Sequence, residues 1–172
     1  PAPPVTGEAD AGADLRTTAL LQPARDLLAT AGAWDGLTAS ATPLWTMRIV
    51  DAAGAAPVSR DFEARDLSDR PFGWNVPNWA LRDALLSRVM ALDTVETRFG
   101  RSVTGLLQRT SGARVTLSDG SRLTARLVLA CDGKNSPLRR MAGIGVRRVD
   151  YGQTALVFVV GHDLSHNDVS VE

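Results

Sequence analysis

The chain has 172 residues, 44% of them apolar, 5% aromatic and 22% charged, and its 19 Lys and Arg balance its 19 Asp and Glu. That is the composition of one ordinary globular domain, and the absence of net charge argues against a nucleic-acid or anionic-membrane surface as its main business. The longest uninterrupted apolar run, Ala155 to Val160, is far too short to span a bilayer, and no basic start followed by an apolar stretch marks a signal peptide. A single cysteine, Cys131, excludes an internal disulfide framework and a multi-thiolate zinc site, and points to a reducing, cytoplasmic setting.

Residues 1–13 are rich in Pro, Ala, Gly and acidic side chains, a composition that reads as a flexible lead-in. Gln22 to Gly32 predicts a short helix, with Pro23 at a favoured first position, apolar Ala24, Leu27, Leu28 and Ala31, and a terminating Gly32. Trp34 and Leu37 are expected to fold back onto the same core. The β-rich run Leu44 to Ala52, broken by Ala53, Gly54 and Ala55 before a second run at Pro57 to Phe62, predicts a hairpin. Glu63 to Pro71 reads as a connecting loop and Gly73 to Val76 as a short strand. Asn78 offers an N-cap to a helix over Trp79 to Leu92, whose Leu81, Ala84, Leu85, Val89 and Leu92 share one face.

A β-rich region follows, with strands expected at Val95 to Phe99, Val103 to Gln108, Arg114 to Ser118 and Ser121 to Ala130. Asp119-Gly120 between the last two is a strong hairpin signal, because a tight two-residue turn requires positive φ at both positions. Leu127 to Cys131 is continuously apolar, the pattern of a strand buried on both faces. Asp132 and Gly133 follow it directly, where ligands bind beyond the strand ends of open α/β sheets. Ser136-Pro137 then opens a short helix whose amides suit an anionic or hydroxyl-bearing ligand. Read alone, Asp-Gly is also a common turn and Ser-Pro common capping chemistry, so both readings stand at this point.

The segment LVLACDGKNSPLRRMAGI is similar to the Asp-Gly motif of FAD-dependent aromatic hydroxylases, the group that includes para-hydroxybenzoate hydroxylase. DLRTTALLQPARDLLATAGAWDGLTASATPL, then NVPNWALRDALL, then YGQTALVFVV with His166 and Glu172 downstream, resembles the Ubi-type hydroxylases of ubiquinone biosynthesis in order and spacing. The resemblance covers nearly everything from Asp14 to Glu172. It implies a mixed α/β (α+β) chain holding part of a Rossmann-like FAD-binding domain of that type, with a β-meander, plus part of an antiparallel substrate-binding sheet. The expected division is 14–43 and 78–148 in the cofactor domain, and 44–77 and 149–172 in the substrate sheet.

Carried over by position, Asp132 matches the family aspartate that contacts the ribityl and pyrophosphate region of FAD and has been linked to the reduced nicotinamide cofactor. Gly133 lets the backbone approach. Arg16 matches the arginine near the FAD phosphates, where a planar guanidinium suits oxyanions, and Asn78 falls where the family places an amide side chain beside the flavin. Each has a plainer alternative: a turn residue, a solvated charge, an N-cap. The implied chemistry is ring hydroxylation of a polyprenyl phenol through a flavin hydroperoxide, with NAD(P)H as reductant; no side chain is identified as a catalytic acid or base. The strands near Leu44 to Asp51 and Thr154 to Val160 are expected to form the substrate wall.

Two departures stand out. Ala130-Cys131 replaces the usual Gly-Ala before Asp-Gly, and neither the family's opening strand, Gly-rich turn and helix nor its later Gly-Asp motif is present. Gly143-Ile144-Gly145 follows a helix and lacks the third glycine of a dinucleotide fingerprint. The expectation is therefore the middle piece of a longer enzyme that holds FAD weakly alone, exposes the edge at Cys131 and self-associates, with peripheral membrane contact in the parent. Another FAD oxidoreductase with the same motif, such as a reductase or halogenase, and a non-enzymatic binding or assembly module are the alternatives. His162 and His166 lack a catalytic Glu and a third ligand, so no metal is expected. Cys131 reads as a small core residue, because an apolar strand and an adjacent carboxylate disfavour the thiolate.

Overall fold

In a computed structural model, which describes residues 2–172, the chain forms two compact units. One is built chiefly from residues 97–155, the other from 4–96 and 156–172.

The larger unit begins with β1 (Thr17–Leu21), a strand not expected from the sequence, which runs directly into helix α1 (Gln22–Thr30) with a proline in its first turn. Gly32, at φ 73°, ends α1: its N–H donates to the Ala29 carbonyl and that of Ala33 to Leu28, the double bond of a Schellman stop. The chain then folds back through a 3₁₀ turn at Asp35–Leu37. β2 (Thr42–Leu44) and β1 flank β5 (Gly73–Pro77) in an antiparallel sheet, and β5 leads straight into α2 (Asn78–Met90). Trp34, Leu37, Val76, Ala80 and Ala84 form the core between this sheet and α2, as expected for Trp34 and Leu37. Gly73 is required there by sterics, since a Cβ would lie 2.4 Å from the Leu20 carbonyl oxygen on the neighbouring strand.

The expected hairpin is present as β3 (Thr46–Asp51) and β4 (Val58–Glu63), and β9 (Val169–Val171) joins it parallel to β3. Arg48 and Asp61, directly opposite, form a two-pronged ion pair with both contacts at 2.7 Å. An open depression of about 500 Å³ lies against this sheet, with apolar walls from Met47, Ile49, Phe62, Leu67 and Phe72.

The smaller unit is the antiparallel meander β6 (Val103–Arg109), β7 (Gly112–Leu117) and β8 (Arg122–Ala125), with the five-residue helix α3 (Pro137–Met141) beside β6. The β7–β8 turn is three residues long, not the expected two. The Leu117 carbonyl accepts from the Gly120 N–H, the Ser121 carbonyl accepts from the Leu117 N–H, and only Gly120 has positive φ, 82°. Asp119 is held down to about 2 by the Ser121 hydroxyl and amide, with the Arg101 guanidinium adding to the effect.

Four further expectations are corrected. Val95 to Phe99 is a turn-bounded coil. Leu127 to Cys131 is not a buried strand: no strand among the described residues pairs with it, and Leu127 and Leu129 are each 72% exposed. Cys131 is accordingly exposed rather than a core residue. Thr154 to Val160 is likewise unpaired and exposed, because apolar β-propensity cannot form a strand without a partner edge.

Candidate functional site

The sequence-predicted residues fall into two groups, one in each unit. Arg16 and Asn78 are brought together by strand register. Thr17 pairs with Pro77 at the ends of β1 and β5, so Arg16 lies beside the first residue of α2 and its carbonyl accepts the Asn78 N–H at 2.8 Å. Asn78 is therefore inside the helix rather than its N-cap, which corrects that expectation; Pro77 takes the cap position. The Asn78 side chain is used laterally instead. Its Oδ1 accepts from the Thr18 hydroxyl at 2.6 Å and its Nδ2 donates to Asp14 Oδ2 at 3.1 Å.

Asp14 is the hub that sequence reasoning missed. Arg16 Nε and Nη2 donate to its two oxygens, each at 2.7 Å, and Arg82 Nη2 reaches Oδ2 at 3.2 Å. The Asp14 side chain is 11% exposed, against 60% for Arg16 and 42% for Arg82. The Arg16 guanidinium, first, and the Asn78 amide hold the Asp14 carboxyl well below the usual carboxylate range, against the effect of its burial. Two signals were available: Asp14 and Arg16 alternate onto one side of an extended segment, and Arg82 sits four residues after Asn78 on one helical face. Two guanidinium groups on one carboxylate leave the cluster with a formal surplus of one positive charge.

In the other unit, Asp132 closes the loop before α3. Its Oδ1 accepts from the Ser136 hydroxyl and its Oδ2 from the Leu138 N–H at 3.1 Å, while Ser136 Oγ accepts from the Arg139 N–H at 2.9 Å. The amides at the start of α3 are thus satisfied by the chain's own side chains, which corrects the expectation that they await an anion. The Ser136 hydroxyl, first, and the Leu138 amide lower the Asp132 carboxyl below its ordinary value. Gly133 has φ 87° and nothing within 4 Å of where a Cβ would stand, so its backbone is open to close approach. Arg139 and Arg140 turn back onto the Lys134 and Asn135 carbonyls.

Gly143 does not belong to a phosphate loop: its N–H donates to the Arg140 carbonyl and that of Ile144 to Arg139, a Schellman stop for α3. His162 and His166 lie in irregular chain rather than on a helix, with ring centroids 5.4 Å apart and His166 Nδ1 accepting the Asp168 N–H. No group of three His, Cys, Asp or Glu among the described residues is arranged to hold a metal.

The profile of the family described as "FAD binding domain" matches residues 8–168. Ubiquinone hydroxylase UbiL of Rhodospirillum rubrum is 38% identical over 162 residues, covering 94% of this chain and 37% of that protein. The 3-demethoxyubiquinol 3-hydroxylase of Escherichia coli is 32% identical, covering 92% and 40%. Among solved structures, Pseudomonas aeruginosa PqsL in complex with 2-aminobenzoylacetate aligns with a TM-score of 0.68 at 23% identity, over 85% of this chain and 39% of its own. The Klebsiella pneumoniae R204Q HpxO complexed with FAD aligns at 0.59 and 25%, over 72% and 32%. The chain thus spans 37% and 40% of the length of the two curated relatives.

Proposed function

The chain belongs to the FAD binding domain family, and on that premise we propose that it supplies cofactor contacts and part of the substrate sheet of a flavin-dependent aromatic monooxygenase. The substrate class is a polyprenyl phenol of ubiquinone biosynthesis, in keeping with the names of the relatives. The observation that carries the cofactor half is the Asp14–Arg16–Asn78–Arg82 cluster, whose surplus positive charge and free guanidinium N–H groups fit a pyrophosphate. Within the larger unit the proposed cofactor contacts are Arg16 and Asn78; within the smaller unit they are Asp132 and Gly133. Bound FAD supplies the redox chemistry, with NAD(P)H as reductant and molecular oxygen as the source of the inserted atom.

What the chain's own groups do is more limited. Arg16 neutralises phosphate charge, the open Gly133 backbone admits the cofactor, and Asp132 offers the lone pairs left over from its loop bonds to a ribityl hydroxyl. The division into cofactor residues 14–43 and 78–148 and substrate residues 44–77 and 149–172 follows the resemblance. The depression against β3 and β4, whose apolar walls are interrupted by Arg60, Asp61, Glu63 and Asp66, suits an aromatic ring or prenyl tail. No helix among the described residues is long and apolar enough to cross a membrane; peripheral contact of the parent protein with a bilayer is proposed on the chemistry of a prenylated substrate alone.

Flavin fluorescence tests the cofactor reading. Titration of FAD into this chain is expected to show weak, saturable quenching that Arg16→Ala abolishes; quenching indifferent to Arg16→Ala would refute it. Product analysis on the parent enzyme tests the reaction. NAD(P)H consumption with oxygen appearing on the ring is expected, whereas reduction or halogenation of the substrate would favour another FAD enzyme. The unpaired apolar segments 127–131 and 156–160 are expected to make the chain self-associate with rising concentration in light scattering. A monodisperse monomer throughout would contradict this.

A further inference from the structure

Asp14 presents a problem that charge alone does not solve. A carboxylate beside a phosphate-binding arginine repels the very ligand the arginine attracts. Its benefit must therefore come from geometry. An unrestrained arginine side chain loses substantial rotamer entropy when it is fixed on a ligand, and a fork-shaped bond to a carboxylate fixes it beforehand. Asp14 takes the Nε and Nη2 edge of Arg16, and among the described residues Arg16 Nη1 has no partner. Arg82 likewise spends only Nη2 on Asp14. The carboxylate is itself held by the Asn78 amide, which the Thr18 hydroxyl holds in turn, so the whole assembly is referenced to the paired ends of β1 and β5.

We propose that Asp14 is a positioning residue that holds Arg16 by its Nε–Nη2 edge and Arg82 by Nη2, so that their free N–H groups converge on a phosphate-type oxyanion. Arg82 becomes the second anion contact. This rests on the reading of Arg16 as a contact to the phosphates of FAD.

The sign of one substitution separates positioning from electrostatics. Asp14→Asn removes a negative charge, so a site working by net charge alone would bind inorganic pyrophosphate more tightly. The positioned site is expected to bind it about tenfold more weakly, read by isothermal titration of the chain, with Asp14→Glu recovering part of the loss. In an Arg16→Ala background, Asp14→Asn should add little beyond the loss of the Arg82 contact. Nitrogen-detected NMR of the unsubstituted chain gives a second readout that does not depend on a variant folding. At saturating pyrophosphate the Arg16 Nε–H resonance should keep the shift of its bond to Asp14 while the Nη1 resonance moves. Tighter binding by Asp14→Asn, or release of the Nε–H bond on saturation, overturns the positioning role and leaves the Arg16 reading intact. Pyrophosphate binding unchanged in Arg16→Ala, or no Arg16 response in the unsubstituted chain, overturns that reading and the proposal with it.

Discussion

Trp34→Ala is expected to cost the larger unit about 3–5 kcal/mol of stability, the upper range for emptying a buried aromatic site. Trp34 is 5% exposed and packs edge-to-face on Trp74, with ring centroids 5.3 Å apart and planes at 69°. The Arg25 guanidinium lies 5.2 Å from the Trp34 centroid and 5.9 Å from that of Trp74, which closes the solvent side of the pair. Alanine would leave a cavity lined by Leu37, Val76 and Ala80, and a rigid sheet-on-helix core does not collapse to fill it. A whole small domain has only about 5–15 kcal/mol to lose, so the urea midpoint should fall by roughly 1–5 M, the lost free energy divided by a slope of about 1–3 kcal/mol/M. Trp34→Phe, which keeps an aromatic ring in the pocket, should lose much less. Equal losses for the two variants would show that volume and ring packing are not what Trp34 contributes.

The position of Trp34 is also the clearest case of what the sequence discloses. Pro23 and Gly32 bracket α1 by local backbone chemistry, and two residues after a Schellman stop an apolar side chain returns toward the helix it has just left. The hairpin β3–β4 is legible from β-forming residues broken at Ala53, Gly54 and Ala55, and α2 is legible as a helix, although its buried residues are Ala80 and Ala84 while Leu85 of the expected face is 40% exposed. Asp119-Gly120 is legible as a turn but not as a three-residue one, since the sequence marks that φ is positive at Gly120 without deciding how many residues precede it. Leu127 to Cys131 shows the opposite limit. Its apolar run states what the segment would bury, and burial depends on partner strands that no local pattern encodes.

The candidate site divides along the same line. Asp132, Gly133 and Ser136 are close in sequence and their loop could be read directly. Asp14 and Asn78 are 64 residues apart, and only the Thr17–Pro77 register brings them to 3.1 Å. Resemblance pointed to Arg16 and Asn78 as separate candidate contacts. It could not supply the carboxylate that joins them, because a residue whose partners are all protein leaves no ligand-binding motif.

Asp132→Ala is expected to weaken FAD binding about tenfold or more while also loosening α3, and the two effects can be separated. The carboxylate caps α3 through Leu138 and fixes the Ser136 hydroxyl that caps Arg139. Ser136→Ala removes both the bond its hydroxyl donates to Asp132 Oδ1 and the cap it offers the Arg139 N–H at a buried position, a cap loss of about 0.5–2 kcal/mol, while leaving the Asp132 carboxylate itself in place for a ligand. If Asp132 acts only by shaping the loop, both variants should lower FAD affinity in proportion to the faster amide exchange of Leu138 and Arg139. If it also contacts the cofactor, Asp132→Ala should lose affinity beyond what its exchange rates account for. The pH dependence has a defined sign. Because the folded carboxyl titrates below its ordinary value of 3.8, its contribution to the α3 cap is fully present above that pH and is lost as pH falls through the lowered value. Protection of Leu138 should therefore hold through mildly acidic pH and fall only in strong acid. Loss of protection near neutrality would mean that a group other than Asp132 holds the helix in place.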